Sequence, residues 1–357
     1  MKIDCFMNMP SHYQADFYRE LANLCDLNVW FENNINDDRV HLGWADDKSG
    51  FSNETIMNWK KSFFNNDTIY FTNGIPGSIR NLYNSLKSKN NLLAQAEMPY
   101  FENHRIRSKI GNNLYSSLMN KNNIPFLGIG KEVRMHMQSL GLKQKLIFPY
   151  AYFCSKSIQS KPDFHNPIIF VGQLIKRKRV DLLLEAFSKT RTALEKGLII
   201  IGDGPLKDSL KKYSKKLGIE NSVIFKGTLN NKLILNEISK SSCLVLPSDH
   251  DGWGVVANES INCDVPVVIS DKCGASEIVS QGCGLIFQAG SVDSLIMNLG
   301  EIFSTKEYWE QKSYKCSSVS ESISPKTGAK YFIQIVEFMK SNFNSNSNRP
   351  AVPWLKV

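Results

Sequence analysis

The sequence predicts an α/β protein of two Rossmann-like domains, on three observations. At 357 residues the chain exceeds the size at which one hydrophobic core keeps growing, so two domains are the natural division. Short apolar runs alternate with amphipathic segments along most of its length, the strand, helix, strand order that a parallel sheet requires. Several of these runs end in loops rich in glycine or in charge, and ligands in open parallel sheets sit beyond the carboxyl ends of the strands.

In order, Lys2 to Asn8 reads as a strand, Tyr13 to Leu24 as an amphipathic helix and Asp26 to Phe31 as a second strand. The loop between the first two elements carries His12 at a strand's carboxyl end. Residues 33 to 66 are rich in Asn and Asp yet hold Trp44 and Trp59. Exposed tryptophans near a binding cleft stack on sugar rings, but a small satellite core under a long loop is the preferred reading. The alternation resumes with strand Thr68 to Thr72, helix Ser78 to Ser88, strand Leu92 to Gln95, helix Glu102 to Met119, strand Pro125 to Gly128, helix Lys131 to Leu140 and strand Lys145 to Phe148. His104-Arg105-Ile106-Arg107-Ser108-Lys109 crowds basic groups at a helix start, against the dipole, which marks either an anion site or a solvated basic face.

From Pro149 to Pro167 the pattern lapses, and the interdomain linker is expected there. Ile168 to Gly172 then opens the second domain, followed by a loop with four cations, Lys176, Arg177, Lys178 and Arg179, and a helix with apolar residues at helical spacing. Clustered Lys and Arg at a strand end suit a diphosphate, through charge-assisted hydrogen bonds. Leu198 to Ile201 is a buried strand ending in Gly202-Asp203-Gly204-Pro205, and Ser222 to Leu229 gives the next strand and rim loop. After Gly282-Cys283-Gly284-Leu285-Ile286-Phe287, a last short strand, residues 328–341 form a terminal helix, and 342–357 are expected to be flexible.

Composition narrows the partners. The formal net charge of +9 and pI near 9.0 suit a polyanion, an anionic membrane surface or a nucleotide diphosphate. No nucleic-acid-binding motif is present, and the cations gather at strand ends rather than along one helix. The eight cysteines form no C-x-x-C pair and no metal spacing, so neither a zinc site nor a disulfide framework is expected and a reducing compartment fits. No signal peptide is expected, and no run approaches the roughly 20 apolar residues of a membrane span.

The densest stretch is Pro247-Ser248-Asp249-His250-Asp251-Gly252-Trp253-Gly254-Val255-Val256-Ala257-Asn258-Glu259-Ser260, which follows the apolar run Cys243 to Leu246 and leads into a helix ending near Cys263. A helix starting there aims backbone N–H groups and a positive dipole end at the crevice, which suits a phosphate. Gly252 and Gly254 let a ligand approach the backbone, and Glu259 can offer both oxygens to neighbouring hydroxyls such as those of a ribose.

With Pro266-Val267-Val268-Ile269-Ser270 after it, this stretch resembles the donor-site signature of the retaining glycosyltransferases of family 4, which have the GT-B architecture. The segment from Val171-Gly172-Gln173-Leu174 through Lys178 to Ala186-Phe187 resembles a second motif of that family. The resemblance is dense from about Pro167 to Phe287 and rests before Pro149 on the β/α alternation alone. It implies two Rossmann-like β/α/β domains facing each other across a deep cleft. Residues 1–150 would bind the acceptor, 151–327 the sugar-nucleotide donor, and the helix 328–341 would return to pack on the first domain. It implies Lys178 and Asp251 as catalytic residues, the lysine gripping the donor phosphates and Asp251 near the sugar hydroxyls. Gly172, Gln173, Gly202, Gly204, Thr228, Leu229, Gly252, Trp253, Gly254 and Glu259 would complete the donor site, with His12 and His104 on the acceptor side. Gln173 stands where arginine is commoner in the family, Arg179 where glycine is, and Asp251 where glutamate is. Asp264 also replaces a usual glycine, and Asp tolerates the left-handed conformation of a helix stop.

The function implied is transfer of a sugar from a UDP- or GDP-sugar to a glycan or lipid-linked acceptor in cell-surface polysaccharide or glycoconjugate synthesis. No tightly bound cofactor is expected, and no metal, on the reading that no D-x-D-like pair stands at a strand end. The expected location is cytoplasmic, with peripheral contact at the inner membrane face open to the basic chain. A sugar-nucleotide epimerase and a non-catalytic sugar-nucleotide-binding protein remain as other readings of the same motifs.

Overall fold

The structure, a computed structural model, describes residues 1–7, 11–31, 67–73, 92–97, 106–156, 160–341, 343 and 349–356. The chain divides into two units, one containing Met1, Phe153 and Pro325–Pro353, the other Cys154–Ser324 and the residues from Trp354.

The first unit is built on a six-stranded sheet of β1 (Lys2–Met7), β2 (Asp26–Phe31), β3 (Thr68–Asn73), β4 (Leu92–Glu97), β5 (Phe126–Ile129) and β6 (Ile147–Tyr150), in the order β2-β1-β3-β4-β5-β6. Every pairing is parallel. Near-continuous apolar runs are what strands covered on both faces require, and Leu92 to Ala96 are buried without interruption. Helices α1 (His12–Ala22), α2 (Ile106–Lys121) and α3 (Lys131–Ser139) accompany the sheet. On one face Tyr70, Ala94, Phe126 and Ile147 share a buried cluster with Tyr115 and Met119 of α2 and Val133 and Met137 of α3.

The other face is closed by α12 (Pro325–Lys340), which belongs to this unit although it lies far along the chain. Phe332 meets Phe17 of α1 and Phe71 of β3 edge-on, with ring centroids 6.2 and 4.8 Å apart. Phe17 also stacks on Phe153 at 5.8 Å. The expected linker begins too early at Pro149 for this reason: Tyr150, Ala151, Tyr152, Phe153 and Cys154 are all buried, and β6 runs to Tyr150. At Gly328 α12 leaves no room for a side chain beside Phe153, since a Cβ there would stand 2.2 Å from the ring.

The second unit holds the other sheet, of β7 (Ile168–Val171), β8 (Leu198–Ile201), β9 (Val223–Gly227), β10 (Cys243–Leu246), β11 (Val267–Ser270) and β12 (Gly284–Phe287). Its order is β12-β11-β10-β7-β8-β9, all parallel. Chain order therefore reverses between β7 and β10. Around it lie α4 (Val180–Lys189), α5 (Arg191–Leu194), α6 (Lys207–Lys216), α7 (Asn231–Ser239), α8 (Val256–Asn262), α9 (Ser276–Val279), α10 (Val292–Ile302) and α11 (Lys306–Ser322). One cluster joins Leu182, Leu183 and Phe187 of α4 to Phe170, Ile200 and Val245 of the sheet and to Leu295 and Leu299 of α10. Helices α10 and α11 go beyond the elements expected from the sequence. The end of the chain departs from the flexible tail expected over 342–357. Arg349 donates from Nη1 to the carbonyl oxygens of Gln144 at 3.3 Å and Lys145 at 3.4 Å, and from Nη2 to that of Ile147, while Trp354 is fully buried.

Gly328→Ala should lower stability by about 1–3 kcal/mol, the usual cost of forcing a methyl into a packed core, because the Phe153 ring it would strike is itself held against Phe17 and Tyr150. Thermal melting measures it, and an unchanged Tm would contradict the packing of α12 on this unit.

Candidate active site

The reversal between β7 and β10 separates the loops that follow two neighbouring strands, and a ligand finds room in such a gap. Both loops of the second unit carry charge there. After β7, residues Lys176–Lys178 make one 3₁₀ turn, and Arg179 stops it in the left-handed conformation, φ 49°. Its carbonyl then accepts the first bond of α4, from Leu183 N–H at 3.2 Å. After β10 comes Pro247 to Gly254.

The two loops are fastened to each other. Lys178 Nζ donates to Asp251 Oδ2, with both side chains only 13% and 14% exposed. Arg177 Nη1 donates to the His250 carbonyl at 3.1 Å and stands 3.9 Å from Asp251 Oδ1. The Asp249 amide donates to Arg177 O at 2.8 Å. Arg179 Nη1 reaches Asp249 Oδ1 at 3.0 Å, and its Nε reaches both Asp181 oxygens at 3.2 Å. The hydrogen bonds to Asp181 raise the Arg179 guanidinium's affinity for its proton, those to Asp249 adding to them. Asp181, in the first turn of α4, also suits the positive end of that helix.

Beyond Asp251 the chain is sewn to the loop after β11. Asp251 N–H donates to Lys272 O at 3.1 Å, Gly274 N–H to Asp251 O at 3.0 Å and Ala275 N–H to Trp253 O at 2.9 Å. The Gly274 N–H is thus engaged by Asp251 O, a bond that a residue of any type but proline could make. Gly274 is glycine for another reason: a Cβ would stand 2.2 Å from Gly252 O. Gly254, φ 90°, lies where a Cβ would come 3.7 Å from Asp251 Oδ2.

Trp253 is also corrected. Its side chain is 1% exposed and Nε1 donates to Asn258 Oδ1 at 2.7 Å, so the indole anchors the loop to α8 from inside rather than meeting a ligand. Gly202 and Gly204 have a backbone role. A Cβ on Gly202 would meet Gly172 O at 1.9 Å and one on Gly204 would meet Leu174 O at 2.6 Å, and Leu174 N–H donates to Asp203 O at 2.8 Å. These contacts continue the β7–β8 pairing past the strand ends, as Gly172 N–H to Ile201 O at 3.0 Å begins to do.

Gln173 is half-buried after β7, Thr228 is exposed and Leu229 half-buried after β9, and Glu259 is half-buried on α8. Thus the structure gathers Gly172, Lys178, Asp251 and Gly254, with Gln173 adjoining in the chain, at the reversal. Asp264 takes φ 58°, the left-handed stop expected of it. His12 is the first residue of α1, and its side chain, like His104, Trp44, Trp59, Gly74 to Gly77 and the helix Ser78 to Ser88, lies outside the described residues. Asp249 was missed. With Asp251 it makes a D-x-D pair just beyond β10, contrary to the reading that none stood there, and a search for acids two apart would have found it. Both carboxylates are engaged by cations, and among the described residues no three of His, Cys, Asp and Glu gather to hold a metal ion.

The fold is that of GT-B proteins, with two Rossmann-like domains. The structure matches Anabaena HepE in complex with UDP with a TM-score of 0.71 at 15% identity, covering 96% of this chain and 100% of that one. Residues 155–315 match the family model described as "Glycosyl transferases group 1", so the second unit carries a domain of that family. N-acetyl-alpha-D-glucosaminyl L-malate synthase of Bacillus anthracis is 27% identical over 170 residues, 44% of each chain. The N-acetylgalactosamine-N,N'-diacetylbacillosaminyl-diphospho-undecaprenol 4-alpha-N-acetylgalactosaminyltransferase of Campylobacter jejuni is 31% identical over 150 residues, 42% of this chain and 40% of that one. The matches thus span less than half the length of these relatives.

Burial, and next the charge of Asp251, push the Cys273 thiol up to about 12, so it stays protonated, and unreactive, well above neutral pH. Iodoacetamide at pH 8 should leave Cys273 unmodified in the folded chain and label it after unfolding, read by peptide mass spectrometry. Labelling of Cys273 in the folded protein would contradict the closed packing of the loops after β10 and β11.

Proposed function

We propose that the chain is a retaining glycosyltransferase of family 4, moving a sugar from a UDP- or GDP-sugar to a hydroxyl of a saccharide or lipid-linked glycan. The observation that carries this reading is the Lys178–Asp251 pair, placed where chain order reverses in a sheet whose sequence matches group 1 glycosyl transferases. The second unit would take the donor and residues 1–150 the acceptor, with His12 and His104 on the acceptor side. The net charge of +9 favours peripheral contact with the anionic inner face of a membrane.

In this mechanism Glu259 holds the ribose hydroxyls, and Gly172, Gln173 and Gly254 line the path of the diphosphate. Lys178, kept in place by Asp251 until the donor arrives, turns its ammonium to the phosphates. The bond from the anomeric carbon to the phosphate oxygen breaks with its electron pair leaving on the diphosphate. The acceptor oxygen bonds to the same face of that carbon, and its proton passes to the departing phosphate oxygen. Charge on the leaving group grows along this path, so a cation aimed there acts chiefly on the transition state. Among the described residues no second acid is evident as a covalent nucleophile, which favours front-face transfer over double displacement. Carboxylates at 249 and 251 already paired with cations favour a reaction that needs no metal.

Lys178→Ala should reduce kcat more than it weakens donor binding, and raised KM with intact kcat would contradict its role. Glu259→Ala should weaken donor binding by about 1.5–3 kcal/mol, the range for hydrogen bonds to charged groups, and unchanged affinity in calorimetry would remove Glu259 from the site. Incubation with UDP- and GDP-sugars plus candidate acceptors, followed by proton NMR, should give a product with the donor's anomeric configuration, in EDTA as without it. An inverted product would sink the mechanism, activity lost to EDTA and restored by Mg²⁺ would sink metal independence, and an epimerised donor would sink transfer itself.

A further inference from the structure

Arg179 occupies a backbone conformation that favours glycine, yet its side chain is among the most engaged in the second unit. At φ 49° and ψ 42° an L-residue with a long side chain is strained. The guanidinium fork answers that strain. It takes both oxygens of Asp181 through Nε at 3.2 Å, one more contact to Asp181 Oδ2 from Nη2 at 3.2 Å, and both oxygens of Asp249 through Nη1 at 3.0 and 3.3 Å. Asp181 belongs to α4 and Asp249 to the loop after β10, so one residue ties the start of a helix to the neighbouring strand's loop.

We infer that Arg179 is a positioning residue that latches the Asp249-His250-Asp251 loop so that Asp251 meets Lys178. The inference rests on the roles proposed above for Lys178 and Asp251. Asp249 is two residues from Asp251, and its backbone is fixed independently by the amide bond to Arg177 O at 2.8 Å. The latch therefore grips the loop two residues before the Asp251 carboxylate that meets Lys178. Lysine would replace it only in part, because one ammonium lacks the three separately placed nitrogens with which the planar fork meets Asp181 and Asp249. Asp249 gains a role as the latch's far end, which accounts for a carboxylate the transfer mechanism leaves unused.

The test exploits the backbone. In Arg179→Gly the left-handed residue is relaxed while the latch is lost, so a residue serving only stability and one serving position part company. The melting temperature should hold or rise, while kcat falls on the order of 10- to 100-fold, the scale on which small misplacements of reacting groups act, and donor KM changes little. Arg179→Lys should recover only part of the rate. Asp249→Asn should reproduce the loss, and the double variant Arg179→Gly with Asp249→Asn should lose no more than either alone. Hydrogen exchange of the peptide carrying residues 249–251 should speed up in Arg179→Gly whether or not transfer is the reaction. Faster exchange with no transfer by the unaltered chain would therefore count against the function and leave the latch standing. Unchanged exchange, unchanged kcat, full recovery by lysine, or additive losses in the double variant would overturn the latch.

Discussion

One ion pair, Lys178 with Asp251, joins the two loops at the place where the second sheet changes direction, and much of that rim is arranged to permit it. Both side chains are mostly shielded from water, so removing either would leave a desolvated charge behind, a far larger loss than the pair's net worth. Such a pair is tolerated only where the surroundings supply further polar partners. Arg177, close to the same carboxylate, and the backbone bonds flanking Asp251 do so. Lys176 to Arg179 set four cations against the carboxylates of Asp181, Asp249 and Asp251, which leaves one positive charge over at a strand reversal, where open sheets leave room for a ligand.

Holding these charges still falls to the backbone. Glycines 202, 204 and 274 stand where loop meets loop with no space for a side chain, and the amides between them bond to one another's carbonyls. The rim is therefore a continuation of the sheet by other means, with the hydrogen bonds of β7 and β8 running on into their loops and a bridge from Asp251 to Cys273 doing the same beside β10. Side chains that act on a ligand can be few because the frame beneath them is main chain.

The strands and the charged loops were legible in the sequence because both have local signatures. Uninterrupted apolar runs such as Leu198 to Ile201 announce buried parallel strands, and Lys178, Asp251 and Glu259 sit in motifs at characteristic spacing. Trp253 was placed in the site by the resemblance alone, and a loop has no periodicity to say which of its sides is inside. Arg179 and Asp264 stood out as departures, but only the left-handed angles show what the two positions share. Helix α11 escaped notice because its buried positions include Cys316, Ser320 and Ser322 beside Trp309 and Val319, so hydropathy hides the face that packs. The run from Tyr150 to Cys154 looked like a linker since it lacks a period, whereas its aromatic rings fill the first unit's core.

The placement of α12 bears on how the chain is made. The first unit takes its covering helix from residues that a ribosome delivers only after residues 154–324, the body of the second unit. Until then Phe17, Phe71 and Phe153 face solvent where Phe332 and Gly328 will later lie. The second unit carries its whole sheet in one continuous run, Cys154 to Ser324, and awaits only the short piece from Trp354. Synthesis from the amino end thus presents the cell with an unfinished apolar sheet face for as long as the intervening residues take to emerge, and at the usual 5–20 residues per second that is on the order of ten seconds or more. A nascent chain of this design is a natural client for chaperones that cover exposed hydrophobic surface, and the sheet made first waits longest for its covering helix.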